Sequence, residues 1–290
     1  MNRTRPQGHR RFALLGATVL MAGSCVLASA AVADDGAGPL GVTVVASGAA
    51  AAARVGVLLD VDDLAKPAGA HFCTASVVQS AGRNLIVTAA HCLNGDDSDG
   101  SGYVFVPGYR DGKAPYGVWK LQKSFLPDPW TKDQDEDSDL AFATLAPNAA
   151  HKNIQDVVGA NLFAPGTTTG ASPVTVTGYP DTSERSLTCT NRPDVESDTQ
   201  QRIACPRFSA GTSGSPWVNG HHEVVGVLGG HEQGGDTDDV SYSVVLGKAA
   251  EALYEKAGGC AARRGRPGEA GRRALLHRVG GAERGAEPDR

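Results

Sequence analysis

The chain has 290 residues, a formal net charge of −5 at pH 7, 37 glycines and only 6% aromatic residues. After its N-terminal segment it contains no apolar run of the roughly 20 residues needed to cross a bilayer, which argues against a membrane-spanning domain. We expect no nucleic-acid partner, and no membrane association once the N-terminal segment is removed.

The N-terminal segment has the features of a secretory signal peptide. Several arginines precede an apolar segment over residues 12–32, and this segment ends in the small-residue sequence AVA at residues 31–33. Such a sequence is typical of a cleavage site. We therefore predict a signal peptide over residues 1–33 and a secreted, extracellular mature chain that begins near Asp34. Residues 34–53 are rich in glycine and alanine and are interpreted as a flexible lead or a short propeptide.

Short apolar or alternating stretches, separated by turns rich in Gly, Pro and Asp, predict an all-β domain over residues 54–257. The first predicted strands cover residues 54–59, 72–78, 85–89, 103–107, 117–121 and 140–145. After a connecting segment near residues 147–166, a second set covers residues 174–177, 202–204, 215–218, 224–228 and 241–245. Residues 247–257 are predicted as a closing helix. The tail over residues 258–290 changes abruptly to Arg, Gly, Ala, Glu and Pro, which predicts a disordered extension or reflects an altered reading frame.

Three motifs in this domain carry the residue types of a nucleophilic triad. They are TAAHC at residues 88–92, which contains His91, DSDLAF at residues 137–142, and GTSGSP at residues 211–216. A serine hydroxyl is a poor nucleophile at neutral pH, so an imidazole must accept its proton as it attacks a carbonyl. A carboxylate on the far side of the imidazole orients it and stabilises the imidazolium that forms. The three motifs together therefore indicate acyl-transfer chemistry.

The carboxylate has two candidates in the second motif. Acidic runs are by default solvated loops. Asp139 is favoured over Asp137 because the apolar segment at residues 140–145 begins directly after it, which places Asp139 at the start of a strand.

The motifs and their order, histidine, aspartate and then serine, resemble the chymotrypsin/trypsin-like serine peptidase family. Within it the chain resembles the secreted bacterial branch, because staphylococcal-type glutamyl endopeptidases carry the same Gly-x-Ser-Gly-Ser-Pro pattern around the serine. The family pattern selects Ser213 rather than Ser215 as the nucleophile, and its Asp-Leu-Ala pattern supports Asp139. The resemblance covers roughly residues 54–257. It implies two antiparallel six-stranded β-barrels, with the triad at their junction and a C-terminal helix.

The resemblance also implies the groups that surround the triad. The backbone N–H groups of Gly211 and Ser213 would form the oxyanion hole, and glycines near the serine allow the backbone to turn them inward. The digestive members of the family have an aspartate directly before the nucleophile, which pairs with a newly freed N-terminus. Here that residue is Thr212, so we do not expect activation by that insertion.

Cysteine usage agrees with an oxidising compartment. Cys25 lies in the predicted signal peptide. The family resemblance pairs Cys73 with Cys92, which flank the histidine, and Cys189 and Cys205 would close a second loop upstream of the serine. Cys260 is then left without a partner.

The substrate pocket is placed by alignment from Ser213. Its predicted lining comprises Arg207, Phe208, Leu228, Gly229, Gly230 and His231. Arg207 stands where trypsin-like enzymes have an aspartate, so cleavage after Lys or Arg is disfavoured. Glutamyl endopeptidases have a histidine at about position 228, which this chain lacks. The side-chain preference stays open.

The sequence therefore predicts a secreted serine endopeptidase that hydrolyses peptide bonds through an acyl-enzyme intermediate. We expect protein or peptide substrates, a monomeric enzyme, and no metal ion or cofactor. One alternative is a protease-like binding module without activity. An esterase of the α/β-hydrolase type is less favoured, because its Gly-x-Ser-x-Gly motif fails at Ser215 and its triad follows the order serine, acid, histidine.

Overall fold

The computed structural model describes residues 39–47, 52–93 and 101–259. The predicted signal peptide, part of the predicted lead, Cys260 and nearly all of the predicted tail lie outside these ranges. Within them no helix combines the length and the apolar character required to span a membrane.

The described part of the chain consists mainly of strands. They are β1 (Val42–Val45), β2 (Val55–Asp60), β3 (Cys73–Val78), β4 (Leu85–Thr88), β5 (Tyr103–Pro107), β6 (Trp119–Phe125), β7 (Ala141–Leu145), β8 (Leu162–Phe163), β9 (Val174–Gly178), β10 (Leu187–Asn191), β11 (Asp194–Val195), β12 (Gln200–Ala204), β13 (Pro216–Asn219), β14 (Glu223–Val227) and β15 (Val240–Val244). The α-helices are α1 (Asp128–Asp133), α2 (Ile154–Val158) and α3 (Lys248–Lys256). The predicted all-β class and the C-terminal helix are confirmed.

Strands β2 to β7 close into a six-stranded barrel in the order β2-β3-β4-β7-β6-β5. Neighbouring strands run antiparallel throughout. β3 and β4 are buried along their whole length. One face of each strand, with Val77 and Ile86, packs in the barrel core, and the other, with Val78 and Val87, packs in an apolar cluster shared with the second half. At Gly56 a Cβ atom would come within 2.7 Å of the Pro107 Cα atom. Glycine at this position therefore lets β2 and β5 approach closely enough to close the barrel.

The second half of the domain holds its strands in two sheets. One has the order β1-β10-β9-β13-β14-β8, and the other is β11-β12-β15. The pair β8–β14 is parallel, whereas the family resemblance implies antiparallel strands. The sheets are joined by the Cys189–Cys205 disulfide and by the Gly229 N–H, which donates to the Tyr242 carbonyl oxygen at 3.0 Å. The nine described strands of the second half thus lie in two connected sheets.

Strand β1 lies within the segment interpreted from the sequence as a lead or propeptide. It pairs antiparallel with β10, Val42 opposite Thr190 and Val45 opposite Leu187. The Thr43 hydroxyl also donates to the Pro206 carbonyl oxygen at 2.6 Å. The residues from 42 to 45 are therefore part of the second half's main sheet.

An apolar core lies between the two halves. It contains Val78, Leu85, Val87 and Phe142 from the barrel, Phe163, Val224, Val227 and Val244 from the second half, and Leu253 and Tyr254 from α3. Burying each large apolar side chain contributes roughly 1.5–3 kcal/mol. This shared core holds the ends of β4 and β7, where the first two motifs lie, against the sheet that carries the third.

Candidate active site

His91 lies in a short 3-10 turn, Ala90–Leu93, directly after β4. Cys92 in the same turn forms a disulfide with Cys73 at the start of β3. The His91 side chain is 13% exposed. The end of the strand and the disulfide together hold the imidazole in place, and a small part of its surface stays exposed.

Asp139 is fully buried, and its carboxylate accepts three N–H groups. Oδ1 accepts the backbone N–H of His91 at 3.0 Å, and Oδ2 accepts from His91 Nδ1 at 2.7 Å. Oδ2 also accepts the backbone N–H of Gly230 at 2.8 Å. An ionised carboxylate can only accept, so Nδ1 of His91 carries the proton and Nε2 is left as the basic nitrogen.

Asp137 lies in another environment. Its Oδ1 accepts from Gln200 Nε2 at 2.8 Å, and it precedes Asp139 within the turn Glu136–Ser138. Of the two carboxylates that the sequence offered, the structure brings Asp139 to His91.

Ser213 lies half-buried in a turn between two glycines with positive φ, Gly211 at +88° and Gly214 at +84°. The Ser213 carbonyl oxygen accepts the backbone N–H of Thr74 at 2.7 Å. Thr74 directly follows Cys73, which forms a disulfide with Cys92, the residue after His91. A Cβ atom on Gly214 would overlap the Thr74 carbonyl oxygen. The serine turn is thereby packed against the strand that is disulfide-bonded to the histidine turn.

The two serines of the third motif have different environments. Ser215 is fully buried, and its hydroxyl donates to the Thr212 carbonyl oxygen at 2.6 Å. Within the described ranges the Ser213 hydroxyl makes no hydrogen bond. Ser213 therefore has the hydroxyl that is available to react.

The backbone N–H groups of Gly211 and Ser213 have no acceptor in the part of the chain that the structure describes. The intervening Thr212 N–H instead donates to the Ser209 carbonyl oxygen at 3.1 Å. The turn therefore offers two backbone donors without acceptors, which is the type of group that an oxyanion hole uses.

The segment beside this turn is also tightly packed. A Cβ atom on Gly211 would lie 2.5 Å from the Asp181 backbone nitrogen and 2.7 Å from the Tyr179 carbonyl oxygen. Glycine is the residue that this close approach and the positive φ of Gly211 both require.

Tyr179 beside the turn is neutral at physiological pH, because burial raises the pKa of its phenol to about 12.

The predicted pocket residues divide into two groups. Phe208 and Leu228 are buried in one apolar cluster with Trp217, whereas Arg207 is exposed, with φ at +73°. His231 is half-exposed, 3.5 Å from the Glu136 carboxylate.

Gly229 and Gly230 lie against the carboxylate of Asp139. The N–H of Gly230 bonds to Asp139, and a Cβ atom on Gly229 would come within 2.8 Å of Asp139 Oδ2. Sequence reasoning assigned both glycines to the pocket wall and missed this contact. A pair of glycines directly after a buried strand was the one signal of a close backbone approach.

Both disulfides predicted from the sequence are present, Cys73–Cys92 and Cys189–Cys205. The first places both sulfurs and a ring nitrogen of His91 within 4.8 Å of one another. Sulfurs joined in a disulfide are not thiolates, so this group is not a metal site.

Comparison with known proteins agrees with this geometry. Residues 73–227 match the family described as the trypsin-like peptidase domain. None of the curated protein sequences compared matches the chain.

Solved structures with the same fold include three proteases. Protease Anisep from Arthrobacter nicotinovorans is 23% identical, with a TM-score of 0.62 over 75% of this chain and 99% of that one. The thermostable serine protease AL20 from an extremophilic microorganism is 25% identical, with a TM-score of 0.61 over 72% and 99%. A Glu endopeptidase is 17% identical, with a TM-score of 0.60 over 77% and 98%. The chain belongs to the trypsin-like peptidase domain family and has the fold of the chymotrypsin-like serine proteases.

Proposed function

We propose that the chain is a secreted serine endopeptidase that hydrolyses peptide bonds with His91, Asp139 and Ser213 through an acyl-enzyme intermediate. The observation that carries the proposal is the buried carboxylate of Asp139 bonded to His91 Nδ1 at 2.7 Å. This bond leaves Nε2 of His91 free to act as a base. The two disulfides support export to an oxidising compartment.

In the proposed acylation step, Nε2 of His91 takes the proton of the Ser213 hydroxyl as its oxygen attacks the substrate carbonyl carbon. The negative oxygen of the tetrahedral intermediate accepts the N–H groups of Gly211 and Ser213, each worth roughly 3 kcal/mol. Asp139 stays ionised and stabilises the imidazolium. His91 then gives its proton to the leaving amine, and the C–N bond breaks.

Deacylation repeats these roles with water. His91 accepts a proton from the water that attacks the ester, and the same N–H groups stabilise the second tetrahedral intermediate. His91 finally returns the proton to Ser213, which releases the carboxylic acid product. Apart from water and the substrate, every group that acts in these steps belongs to the chain itself.

The test is to treat the folded protein with a fluorophosphonate label and to measure turnover of casein and of short ester substrates. We expect Ser213→Ala to abolish labelling and turnover. Ser215→Ala, the matched change two residues away, should retain a large part of both, because the Ser215 backbone N–H still donates to the Thr212 carbonyl oxygen at 3.0 Å. The reverse result would assign the nucleophile to Ser215.

The same assay separates the alternative functions. A folded wild-type protein that takes no label would be a protease-like binding module. Efficient cleavage of short esters without cleavage of casein would indicate an esterase. Circular dichroism of every variant establishes that a loss of labelling is not a loss of folding.

A further inference from the structure

Four successive carbonyl groups of the serine turn are each bonded to a donor. The acceptors and donors are Ala210 O with Asp181 N–H at 2.8 Å, Gly211 O with the Thr74 hydroxyl at 3.0 Å, Thr212 O with the Ser215 hydroxyl at 2.6 Å, and Ser213 O with Thr74 N–H at 2.7 Å. In a planar trans peptide the C=O and the following N–H point in opposite directions. The Ala210 and Thr212 carbonyl groups point toward their hydrogen-bond donors. The N–H groups of Gly211 and Ser213, which belong to the same two peptide groups, therefore point away from those donors.

Thr74 supplies two of these bonds from the six-stranded barrel. It lies on β3, is fully buried, and bonds to the turn through both its hydroxyl and its backbone N–H. Its hydroxyl also accepts the backbone N–H of Tyr179 at 3.0 Å. Tyr179 lies two residues before Asp181, which bonds to Ala210. The Thr74 hydroxyl thus joins the serine turn to the neighbouring segment that orients it.

The backbone of Thr74 is itself held in place. Its carbonyl oxygen accepts the hydroxyl of Thr88 on β4 at 2.8 Å. Thr88 is fully buried and lies three residues before His91. The bonds to the serine turn therefore come from a buried and hydrogen-bonded part of the barrel, next to the strand that leads to the proposed base.

The residue directly before Ser213 does not provide a charged anchor for the turn. Thr212 is neutral, and its hydroxyl donates to the Ser209 carbonyl oxygen at 2.6 Å, within the turn itself. The connection from the turn to the first barrel passes instead through neutral hydrogen bonds to Thr74.

We propose that the Thr74 hydroxyl is a positioning group that keeps the oxyanion hole in its donating conformation. The inference rests on the proposed function, and it assigns to Thr74 no contact with substrate. It acts by holding the Gly211 carbonyl toward the barrel, which prevents the peptide groups on either side of Gly211 from rotating. Because the oxyanion forms only during the reaction, the loss should fall on kcat rather than on KM.

Three substitutions on one strand test the proposal. Thr74→Val deletes the hydroxyl at nearly constant shape, and Thr74→Ser keeps the hydroxyl while deleting the methyl group. Ser76→Ala is the matched control, because Ser76 is also a fully buried hydroxyl on β3 but bonds to Asn161 Nδ2 at 3.1 Å, away from the turn. Thr74→Ala replaces Thr74→Val if the valine variant does not fold.

The measurements are kcat and KM with a peptide substrate, and the affinity for a peptide boronic acid, which forms a tetrahedral adduct with the serine. For Thr74→Val we expect kcat to fall about 10- to 100-fold, with KM within about twofold of wild type. Affinity for the boronic acid should fall by a similar factor. Thr74→Ser should recover most of the activity, and Ser76→Ala should retain wild-type kcat.

Two failures are distinguishable. If wild type takes no fluorophosphonate label, the proposed function fails, and this inference fails with it. If wild type is active and Thr74→Val has the same kcat and the same boronic acid affinity, the inference alone is overturned. A fall in kcat that is equal in Thr74→Val, Thr74→Ser and Ser76→Ala would also overturn it, since it would reflect only a weakened barrel.

Discussion

The backbone N–H of Gly230 donates to Oδ2 of Asp139 at 2.8 Å, the same oxygen that accepts from His91 Nδ1. The bond crosses from the second half of the domain to the first. Asp139 is fully buried, and a buried carboxylate needs hydrogen-bond donors to offset its lost hydration. The orientation of the imidazole therefore depends on how the two halves pack.

We expect Asp139→Asn to lower kcat by about 10⁴-fold with little change in the fold. An amide oxygen is a weaker acceptor, and an amide nitrogen facing His91 would favour the tautomer with its proton on Nε2, which cannot take the serine proton. Asp137→Asn is the control, because Asp137 bonds to Gln200 rather than to His91. Turnover and fluorophosphonate labelling of both variants check this. Equal losses in the two variants would contradict the assignment of Asp139.

Gly214→Ala should destabilise the protein by several kcal/mol and abolish activity. Gly214 has φ at +84°, and a Cβ atom there would overlap the Thr74 carbonyl oxygen and the Thr88 hydroxyl. Because the overlap includes a backbone atom of a buried strand, relaxation requires moving β3. Chemical denaturation measures the change in unfolding free energy.

The control for this change is Gly220→Ala. A Cβ atom at Gly220 meets no atom within 4 Å, so its unfolding free energy should stay within about 0.5 kcal/mol of wild type. A Gly214→Ala variant as stable as Gly220→Ala would show that the turn is more adaptable than its packing indicates.

A chain that begins at Arg54 should be less stable than one that begins at Asp34 by a few kcal/mol. The shorter chain loses β1, which leaves the edge of β10 unpaired and removes the bond from Thr43 to Pro206. Each lost hydrogen bond costs about 1 kcal/mol. Thermal unfolding of the two chains provides the comparison.

A short tag added before Asp34 should leave turnover intact, because Thr212 offers no acidic partner to a freed N-terminus. Turnover of tagged and untagged chains checks this expectation. Activity that appears only after one particular N-terminus is exposed would contradict it and indicate a zymogen mechanism.

Stability should decrease as the pH falls below about 6.5 because of His71. His71 is buried, and burial lowers its pKa below the usual value, although its bond to the Ser183 carbonyl and the charges of Glu184 and Asp181 act in the opposite direction. A folded-state pKa below the unfolded-state pKa means that the unfolded chain binds the proton first. The stabilisation by neutral His71 is therefore complete above the unfolded-state pKa and is lost as the pH falls toward the folded-state pKa.

The measurement is urea unfolding between about pH 7.5 and 5 for wild type, His71→Gln and His221→Gln. His71→Gln should show a flatter dependence of unfolding free energy on pH than wild type. His221 is exposed, so His221→Gln should follow wild type. Identical curves for wild type and His71→Gln would rule out this titration.

The sequence alone located the three motifs and the all-β class, because each of these signals is local. The disulfide pairings needed more than local signals: the Cys73–Cys92 pairing came from the family resemblance, and spacing alone does not prove the connectivity. His91 lies in a contiguous pentapeptide after an apolar strand, Ser213 lies between glycines, and the preference for Asp139 over Asp137 came from the residues directly after it. Local sequence patterns of this kind can be recognised without knowledge of the tertiary contacts.

Contacts between distant segments were decided by the tertiary structure. Val42–Val45 is a strand because it pairs with β10, which lies far downstream in the chain. Its four β-branched residues favour a strand, but only the tertiary structure identifies the partner. The hydroxyl of Thr74 reaches Gly211 across a separation of 137 residues, and Gly230 reaches Asp139 across 91. Hydrogen bonds between distant residues depend on which strands the shared core brings together. The residue type of a buried threonine or glycine does not identify the distant residue to which it bonds.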